Sequence, residues 1–442
     1  MKANVDLLVV HAAELITCGG SSHAIRGAQL EQLEVIEDGA LAIHDGRILA
    51  VGRTDEVVRA YAARRTLDAG HRLVSPGLID PHSHLLHGGT RHRDYEAKAT
   101  GRHSVQALDG GIRYTVRRTR ATSDSELIER GYADLDVMLA HGTTTLEAKT
   151  GYGLSCEEEL RLLRLTAGLH HPVTVVPTFL PLHVLPEDHA ERRGDWIAAV
   201  IESLPQAAKL ARYCDVACDP MCFSFEECLR VGTAARALGM GIRVHADQTG
   251  DANGALLAAR LEASAADHLD FASEVGLRAM AASDTVATLL PGVTLHLCEM
   301  TPALRGNALG PAEKPFMPLT ARRAIDAGAI VALSTDYNPG SSPTRSMQMV
   351  MQLAARLYRL SYAEIWYMST LNAARAVDLA GDRGSLEPGK RADVLLWSVP
   401  EHGMVINQFG VNLVDTVIIE GRIVAQGGRL NYASSKRGAG TC

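Results

Sequence analysis

The sequence predicts an α/β protein: a (β/α)8 barrel of the TIM type, with a small flanking β-sandwich that both chain ends build. Strand-like apolar runs alternate with helical segments about eight times over roughly 300 residues, which is typical of a closed parallel barrel. At both ends, short runs of alternating β-branched residues replace this pattern. No Gly-x-Gly-x-x-Gly turn follows the first strand, so an open doubly wound sheet is the weaker alternative.

The chain ends account for the β-sandwich. Near the amino end lie VDLLVV, GALAIHDGRILAVG and TLDAGHRLVSPG, and near the carboxyl end lie ADVLLWSV and VDTVIIEGRIVAQGG. Each half has too few strands to bury a face, so we expect residues 1–74 and 386–430 to pair into one domain of antiparallel strands. Residues 75–385 then form the barrel, and the small polar residues 431–442 predict a flexible tail.

Composition and charge restrict the class of protein. Apolar residues make up 46% of the chain and charged residues 21%, as in folded globular proteins. The formal net charge is -7, from 51 acidic and 44 basic residues, which disfavours a surface for nucleic acid. The apolar run near the amino end is too short to span a membrane and follows no basic leader. We therefore expect a cytoplasmic protein that binds neither nucleic acid nor membrane.

The strongest chemical signal is the segment PGLIDPHSH, where a short apolar strand ends in His82 and His84. Side chains two apart on a strand point to the same side, so both imidazoles can chelate one ion. In a barrel that side faces the interior, near the carboxyl ends of the strands, where active sites lie. An isolated pair of this kind is weak evidence, because polar residues end many strands.

Three further strand ends strengthen the interpretation. The run IRVHAD places His245 after apolar residues, SAADH does the same for His268, and IVALSTD ends in Asp336. Imidazole and carboxylate ligands together suit Zn or Fe(II) and leave a position open for water. The recurrence predicts a site for a divalent ion at one end of a barrel. Taken alone, His268 is as consistent with a partly buried structural histidine.

Longer segments carry a resemblance to a known family. They are PGLIDPHSH, EAKTGYGL, PTFLPLHVLP, STDYNPGSSPT and GSLEPGKRADVLLW. These segments closely resemble those of the imidazolonepropionases, the histidine-degradation members of the amidohydrolase superfamily, and the likeness covers nearly the whole chain. The resemblance implies hydrolysis of a small five-membered cyclic amide, 4-imidazolone-5-propanoate, to N-formimidoyl-L-glutamate. It also implies one divalent metal ion, Zn or Fe, and a homodimer.

The resemblance implies a role for each site residue. The implied metal ligands are His82, His84, His245 and Asp336. The implied substrate contacts are Arg91, Tyr152, His183 and Asn338. His268 falls on the family position that helps to activate water. Beyond the resemblance, we expect Asp336 to carry the proton from water to the ring nitrogen. Lys149 belongs to the EAKTGYG motif and to no ligand pattern, so we expect one ion and not two.

Two of these positions have a physical rationale of their own. Arg91 follows the metal ligands in the sequence and can form a bidentate pair with a carboxylate tail on the substrate. The adjacent Arg93 makes a solvated surface arginine an equally good interpretation of Arg91 alone. Gln248 lies three residues after His245 and can hold a substrate, but its amide cannot shuttle a proton. Deamination is therefore the less favoured chemistry.

Two segments depart from the family pattern. The segment of residues 92–110 is shorter than in relatives. In relatives a tyrosine of this segment helps to hold the substrate carboxylate, and here Ser104 stands nearest to its position. An apparent insertion from about His296 to Pro318 contains four prolines and suggests a lid. These departures leave open a related amidohydrolase that acts on a hydantoin, a thio-imidazolone or another cyclic ureide. A catalytically silent metal-binding homologue is the alternative from another class, and the complete ligand set argues against it.

Overall fold

The computed structural model describes residues 2–20, 24–100, 110–298 and 320–432. The elements that precede the barrel are β1 (Ala3–Ile16), β2 (Val35–His44), β3 (Arg47–Arg53), α1 (Thr54–Ala60), β4 (Tyr61–Asp68) and β5 (Val74–Pro76). Strand β2 pairs antiparallel with β1 and β3, whereas β4 and β5 pair parallel with β1. The expectation of purely antiparallel strands was wrong for these two pairs. Helix α1 separates β3 from β4 and provides the crossover that parallel pairing needs.

Eight parallel strands form the barrel. They are β6 (Leu78–Asp80), β7 (Thr143–Lys149), β8 (Thr174–Leu182), β9 (Tyr213–Cys218), β10 (Gly241–Ala246), β11 (Ala265–His268), β12 (Val286–Leu289) and β13 (Ile330–Leu333). Their spatial order is their chain order, and each neighbouring pair is parallel. A doubly wound sheet would reverse this order at its first strand. The predicted barrel is confirmed.

The first and last strands meet just beyond their carboxyl ends. The backbone N–H of Asp336 donates to the carbonyl of His82 at 3.0 Å, and that of His84 donates to the carbonyl of Tyr337 at 2.8 Å. Ser83 and Tyr337 form a parallel bridge at the same level. These bonds bring the segment after β13 beside the segment after β6, so two distant stretches of candidate ligands become neighbours.

Helices cover the outside of the barrel. They are α2 (His92–Ala99), α3 (Ile112–Ala121), α4 (Asp124–Ala140), α5 (Cys156–Ala167), α6 (Arg193–Ala207), α7 (Phe225–Ala237), α8 (Gly254–Arg260), α9 (Glu274–Ser283), α10 (Pro291–Cys298), α11 (Thr320–Asp326), α12 (Met347–Leu357), α13 (Tyr362–Ser369) and α14 (Leu371–Ala376). Helices α4, α7 and α13 begin with Ser-x-x-Glu capping boxes, which satisfy amide groups of the first turn. The alternation of strand and helix is that predicted from the apolar runs.

The carboxyl-terminal elements return to the first sheet. They are β14 (Val394–Trp397), α15 (His402–Asn407), β15 (Val414–Ile419), β16 (Arg422–Gln426) and β17 (Arg429–Leu430). Strand β14 pairs antiparallel with β5, so both chain ends share one nine-stranded sheet. Leu15 and Leu41 from one end pack in a buried cluster with Val394 and Ile418 from the other. The predicted flanking unit from both ends is confirmed, while its boundaries stay a prediction.

Other predictions concern segments that are only partly described. Residues 101–109 of the short segment, 299–318 of the predicted lid and 433–442 of the predicted tail lie outside the described residues. The Tyr432 hydroxyl, at the end of the described chain, contacts Asp136 and lies 2.6 Å from His171 Nε2. Among the described helices, none combines the length and the apolar character that a membrane crossing requires.

Candidate active site

Five side chains that the sequence singled out meet at the carboxyl ends of the barrel strands. His82 and His84 follow β6, His245 lies in β10, His268 ends β11, and Asp336 follows β13. All five are buried. Candidate ligand atoms of His82, His84 and His245 lie within 4.8 Å of one another, and so do those of His82, His268 and Asp336. The parallel strands thus bring together residues that are up to about 250 positions apart in the chain.

Each implied ligand histidine is oriented through its Nδ1 atom. His82 Nδ1 lies 2.8 Å from Asp267 Oδ2, and His245 Nδ1 lies 3.1 Å from Asp215 Oδ1. The Nδ1 atom of His84 is 3.2 Å from a backbone carbonyl in the loop after β7. Because carboxylate and carbonyl oxygens accept, Nδ1 carries the proton in each ring and Nε2 keeps its lone pair. This arrangement is typical of metal-ligating histidines.

The donor atoms fit a cation. Nε2 of His82 and of His245, both ring nitrogens of His268, and Oδ1 of Asp336 are buried without a hydrogen-bond partner among the residues that the structure describes. Asp336 Oδ1 lies 3.3 Å from His82 Nε2 and 3.5 Å from His84 Nε2. A buried polar atom without a partner costs about 1–3 kcal/mol, so five such atoms in one cluster need an explanation. Imidazole nitrogens with a carboxylate oxygen are the ligands of a divalent ion.

Burial sets the charge state of the cluster. Burial lowers the pKa of His82, His84 and His268 well below the ordinary value of a histidine. The neutral ring is the form that offers a lone pair to a metal. Burial also raises the pKa of Asp336 well above the ordinary value of an aspartate. A bound cation favours the ionised carboxylate, so it would oppose that shift.

Unusual backbone angles aim two of these side chains inward. The φ angle is 78° at His268 and 46° at Asp336, in the left-handed region that few residues other than glycine adopt. The backbone N–H of Leu269 donates to the carbonyl of Ala246 at 2.9 Å, and that of Asp336 donates to His82. Bonds to neighbouring strands thus hold the chain in a costly conformation. Such strain clusters at functional sites.

Two of the implied substrate contacts form a wall beside His84. The His183 ring stacks on that of His84 with 5.0 Å between centroids and 10° between planes. The Tyr152 ring lies 5.2 Å from His84 and 5.5 Å from His183. His183 Nδ1 is 2.9 Å from the carbonyl of Gly151. Burial lowers the pKa of His183 to about 4, so the ring is neutral at pH 7.

Arg91 lies against the loop that carries Asp336. Its Nε donates to Asp94 Oδ2 at 2.9 Å, and a Cβ added at Gly340 would collide with its Nη1 atom. Only a glycine at position 340 allows this close approach. Asp94 thus orients the guanidinium through Nε, and the two terminal nitrogens are not used in that contact. The arginine thus lies beside the loop after β13, and its predicted contact with substrate stays a prediction.

Asn338 and Gln248 differ in what the structure shows of their surroundings. Asn338 Nδ2 donates to the carbonyl of Asp336 at 2.7 Å, and its Oδ1 accepts from the N–H of Gly340 and of Ser341, each at 2.8 Å. Its amide therefore organises its own loop, and the predicted contact with substrate stays a prediction. Gln248 is partly buried in the bend that follows β10.

Sequence reasoning missed a layer of buried charge beneath the cluster. Lys149, at the end of β7, is fully enclosed. Its Nζ lies 3.0 Å from Glu147 Oε1, 2.6 Å from Asp215 Oδ2 and 3.3 Å from Asp267 Oδ2. Arg243 adds a bond of 2.9 Å to Asp267 Oδ1. The available signal was a charged residue inside apolar strand runs such as CDVAC and IRVHAD, which is costly unless the charge is paired.

The two aspartates of this layer are ionised. Burial alone would raise the pKa of Asp215, but His245 and Lys149 lower it below its ordinary value. Burial would also raise the pKa of Asp267, and Arg243, Lys149 and His82 together lower it well below its ordinary value. Each carboxylate thus faces a ligand histidine on one side and a cation on the other.

Fold and site together define a class: a barrel enzyme with a candidate divalent-metal centre at the carboxyl ends of its strands. The sequence model of the amidohydrolase family matches residues 73–424, and a bacterial imidazolonepropionase-like composite domain matches residues 39–63. A zinc-bound adenosine deaminase from Xanthomonas campestris has a TM-score of 0.67 at 19% identity and covers 98% of this chain and 96% of its own. At that identity the likeness concerns the fold.

Curated relatives are much closer in sequence. An imidazolonepropionase of Symbiobacterium thermophilum is 41% identical over 437 residues, which cover 96% of this chain and 99% of the relative. One of Thermoanaerobacter pseudethanolicus is 40% identical over 420 residues, covering 93% and 96%. The chain therefore belongs to the amidohydrolase family and, within it, to the imidazolonepropionases.

Proposed function

We propose that this chain hydrolyses the ring amide of 4-imidazolone-5-propanoate to give N-formimidoyl-L-glutamate. The observation that carries the proposal is the meeting of His82, His84, His245, His268 and Asp336 at one end of the barrel, beside a wall of two aromatic rings. Membership of the family makes the chain a hydrolase of carbon–nitrogen bonds in a cyclic amide. The particular ring is the proposed step.

We assign one divalent ion, Zn or Fe, to His82, His84, His245 and Asp336. The assignment is supported by the Nδ1 contacts of the three histidines, which leave the Nε2 lone pair of each ring for a metal, and by Asp336 Oδ1, which is buried with no hydrogen-bond partner among the described residues. When bound, such an ion supplies Lewis acidity, which polarises a carbonyl and lowers the pKa of water from 15.7 to about 7.

Asp336 and His268 handle the proton and the developing charge. Water attacks the ring carbonyl carbon, a C–O bond forms, and Asp336 accepts the proton that the water loses. The ring C–N bond then breaks, and Asp336 returns this proton to the departing nitrogen. His268 is neutral, and both of its nitrogens are buried without a partner among the described residues, so it can orient the water and donate to the carbonyl oxygen.

Arg91, Tyr152 and His183 hold the substrate. The Nε bond to Asp94 leaves the terminal guanidinium nitrogens of Arg91 for a propanoate carboxylate. Tyr152 and His183 line the wall beside His84, where a flat heterocycle can lie against aromatic surface. Their pKa values keep both rings uncharged, because burial raises that of Tyr152 and lowers that of His183. Asn338 and Gln248 remain proposed contacts from the loops after β13 and β10.

A substrate panel tests the proposal. The purified, metal-loaded protein is assayed against 4-imidazolone-5-propanoate, its thio analogue and hydantoin-5-propanoate, with ring absorbance as the signal. We expect the imidazolone to have the highest kcat/KM. Faster opening of the hydantoin or the thio-imidazolone would move the proposal to the related cyclic ureides. Release of ammonia from the substrate without ring opening would indicate a deaminase, which Gln248 disfavours.

The assembly and the location of the protein stay predictions. The resemblance implies a homodimer, whereas the net charge and the amino-terminal sequence predict a cytoplasmic protein that binds no nucleic acid. Light scattering of the purified protein tests the dimer, and cell fractionation tests the compartment. A monomer with full activity would contradict the first expectation.

A further inference from the structure

We propose that Lys149 is a positioning residue whose buried ammonium serves as an internal cation: it holds the aspartates that orient two metal-ligating histidines, and so sets the affinity for the ion. The inference rests on the proposed metal site and extends it to a lysine that makes no contact with substrate in that proposal.

Lys149 joins two parallel chains of contacts. In the first, its Nζ lies 2.6 Å from Asp215 Oδ2, and the other oxygen of Asp215 is 3.1 Å from His245 Nδ1. In the second, its Nζ lies 3.3 Å from Asp267 Oδ2, and that same oxygen is 2.8 Å from His82 Nδ1. One ammonium therefore supports both carboxylates. Displacement of either aspartate would turn the corresponding imidazole.

A cation at this position is required by the electrostatics of the layer. Asp215 and Asp267 belong to β9 and β11, which flank β10 on its two sides, and both are fully buried. Candidate ligand atoms of Asp215, His245 and Asp267 lie within 4.8 Å of one another, which is close enough to share one positive charge. The Lys149 ammonium lies against the same two carboxylates. It thus supplies the positive charge that these two buried carboxylates need.

Arg243 and Glu147 also belong to this layer, but neither forms a hydrogen bond or ion pair with both aspartates in the described part of the chain. Arg243 Nη2 donates to both oxygens of Asp267, at 2.9 and 3.2 Å, and its terminal nitrogens also donate to the carbonyls of Pro81 and Ala376, but no hydrogen bond or ion pair joins it to Asp215 among the residues that the structure describes. Glu147 contacts Lys149 at 3.0 Å, and neither of the two oriented histidines is among its hydrogen-bond or ion-pair partners in the described part of the chain. Glu147 therefore contacts the lysine and neither of these histidines, whereas Lys149 is the cation that both aspartates share.

The test measures metal affinity in Lys149→Met, which keeps most of the length of the unbranched side chain and removes its charge. The dissociation constant of Zn(II) is measured by competition with a chelator, and the visible absorption of the Co(II)-loaded protein reports ligand geometry. We expect Zn(II) to bind about 10–100 times more weakly, as for other partners of metal-ligating residues, and the Co(II) band to shift. Lys390→Met is the matched control, because Lys390 is also buried and paired but lies in the flanking sheet unit.

A second variant protects the test against a failure to fold. The pair Lys149→Met and Glu147→Gln removes the ammonium together with the carboxyl group that contacts it at 3.0 Å, so Glu147 is not left without its ion-pair partner. It should fold and still bind Zn(II) at least about ten times more weakly than the parent. An affinity within twofold of the parent in this variant, or loss of folding in both variants, would overturn the proposal. Because metal binding is measured without substrate, a wrong ring assignment would leave this result unaffected.

Discussion

At the residue scale, the ring nitrogen Nε2 of His82 is left for a metal ion because the other ring nitrogen, Nδ1, already has a partner. Its Nδ1 is engaged by Asp267 at 2.8 Å, which leaves Nε2 for the ion. We expect His82→Ala to lose both the bound ion and turnover, because the three remaining ligands cannot compensate for the lost histidine. Elemental analysis of the purified variant measures this loss. His11→Ala, at a half-exposed histidine of β1, should retain one ion per chain. Two ions in the active parent protein would contradict the assignment.

Asp336, His268 and Gln248 have different proposed roles, and one substitution at each position tests them. We expect Asp336→Asn to lower kcat by several orders of magnitude, since an amide cannot accept the proton. His268→Ala should lower kcat with metal occupancy near normal. Gln248→Ala should mainly raise KM. Steady-state kinetics with parallel metal analysis separates these outcomes. If Gln248→Ala lost kcat as severely as Asp336→Asn with its metal retained, the proton transfer would belong to the other side of the site.

Arg91 provides a test of the acidic tail on the substrate. Its Nε donates to Asp94 Oδ2 at 2.9 Å. This bond fixes the direction in which the two terminal guanidinium nitrogens, a planar fork, point. Lysine carries the same charge but not the fork, and we expect Arg91→Lys to raise KM by about tenfold or more with a smaller effect on kcat. Arg93→Lys, at an exposed neighbour, is the control. An unchanged KM in Arg91→Lys would place this arginine outside the pocket.

At the scale of elements, the loop between β7 and α5 shows how one side chain shapes a substrate wall. The Glu159 carboxylate accepts from the backbone N–H groups of Gly151, Gly153 and Leu154 at 2.6–2.7 Å. These three bonds surround Tyr152 on both sides. A carboxylate from the first turns of α5 thus organises the loop that presents the tyrosine.

We expect Glu159→Gln to disturb this loop, because an amide presents only one acceptor oxygen and adds donors against backbone N–H groups. The predicted effects are a higher KM and a loss of about 1–3 kcal/mol in the free energy of unfolding. Urea denaturation and steady-state kinetics measure them. Glu157→Gln, at an exposed position of the same helix, should change neither. Equal behaviour of the two variants would show that the loop does not depend on Glu159.

At the scale of the whole molecule, the sheet from the chain ends is joined to the barrel through a shared apolar core. Trp397 of β14 packs edge-on against Trp366 of α13 with 5.6 Å between ring centroids. Its indole N–H donates to Ser75 Oγ at 2.8 Å. We expect Trp397→Ala to lower the free energy of unfolding by about 3–5 kcal/mol, as for large-to-small changes in cores. Chemical denaturation measures this, with exposed Phe409→Ala as the control, and a change below about 1 kcal/mol would contradict it.

Much of the fold and part of the site were predictable because the relevant signals are local. The barrel strands CDVAC, IRVHAD and AIVAL lie in apolar runs between amphipathic helices, and the structure has them as β9, β10 and β13. The five polar strand-end residues were found in the same way, and the structure brings them together. The parallel partners of β1 were not predicted, since pairing direction depends on the crossover and not on the strand itself.

The sequence by itself determined the order of the strands and helices, the residues that can serve as metal ligands, and the family. These properties follow from periodicity and from short motifs, which act within a few residues. Only the tertiary structure decided which side chains stand behind the ligands. Lys149, Asp215 and Asp267 lie on three different strands, and nothing in their local sequence states that one ammonium lies between two carboxylates. Their contact exists because the closed barrel turns these strand positions toward one interior, where buried charges must pair.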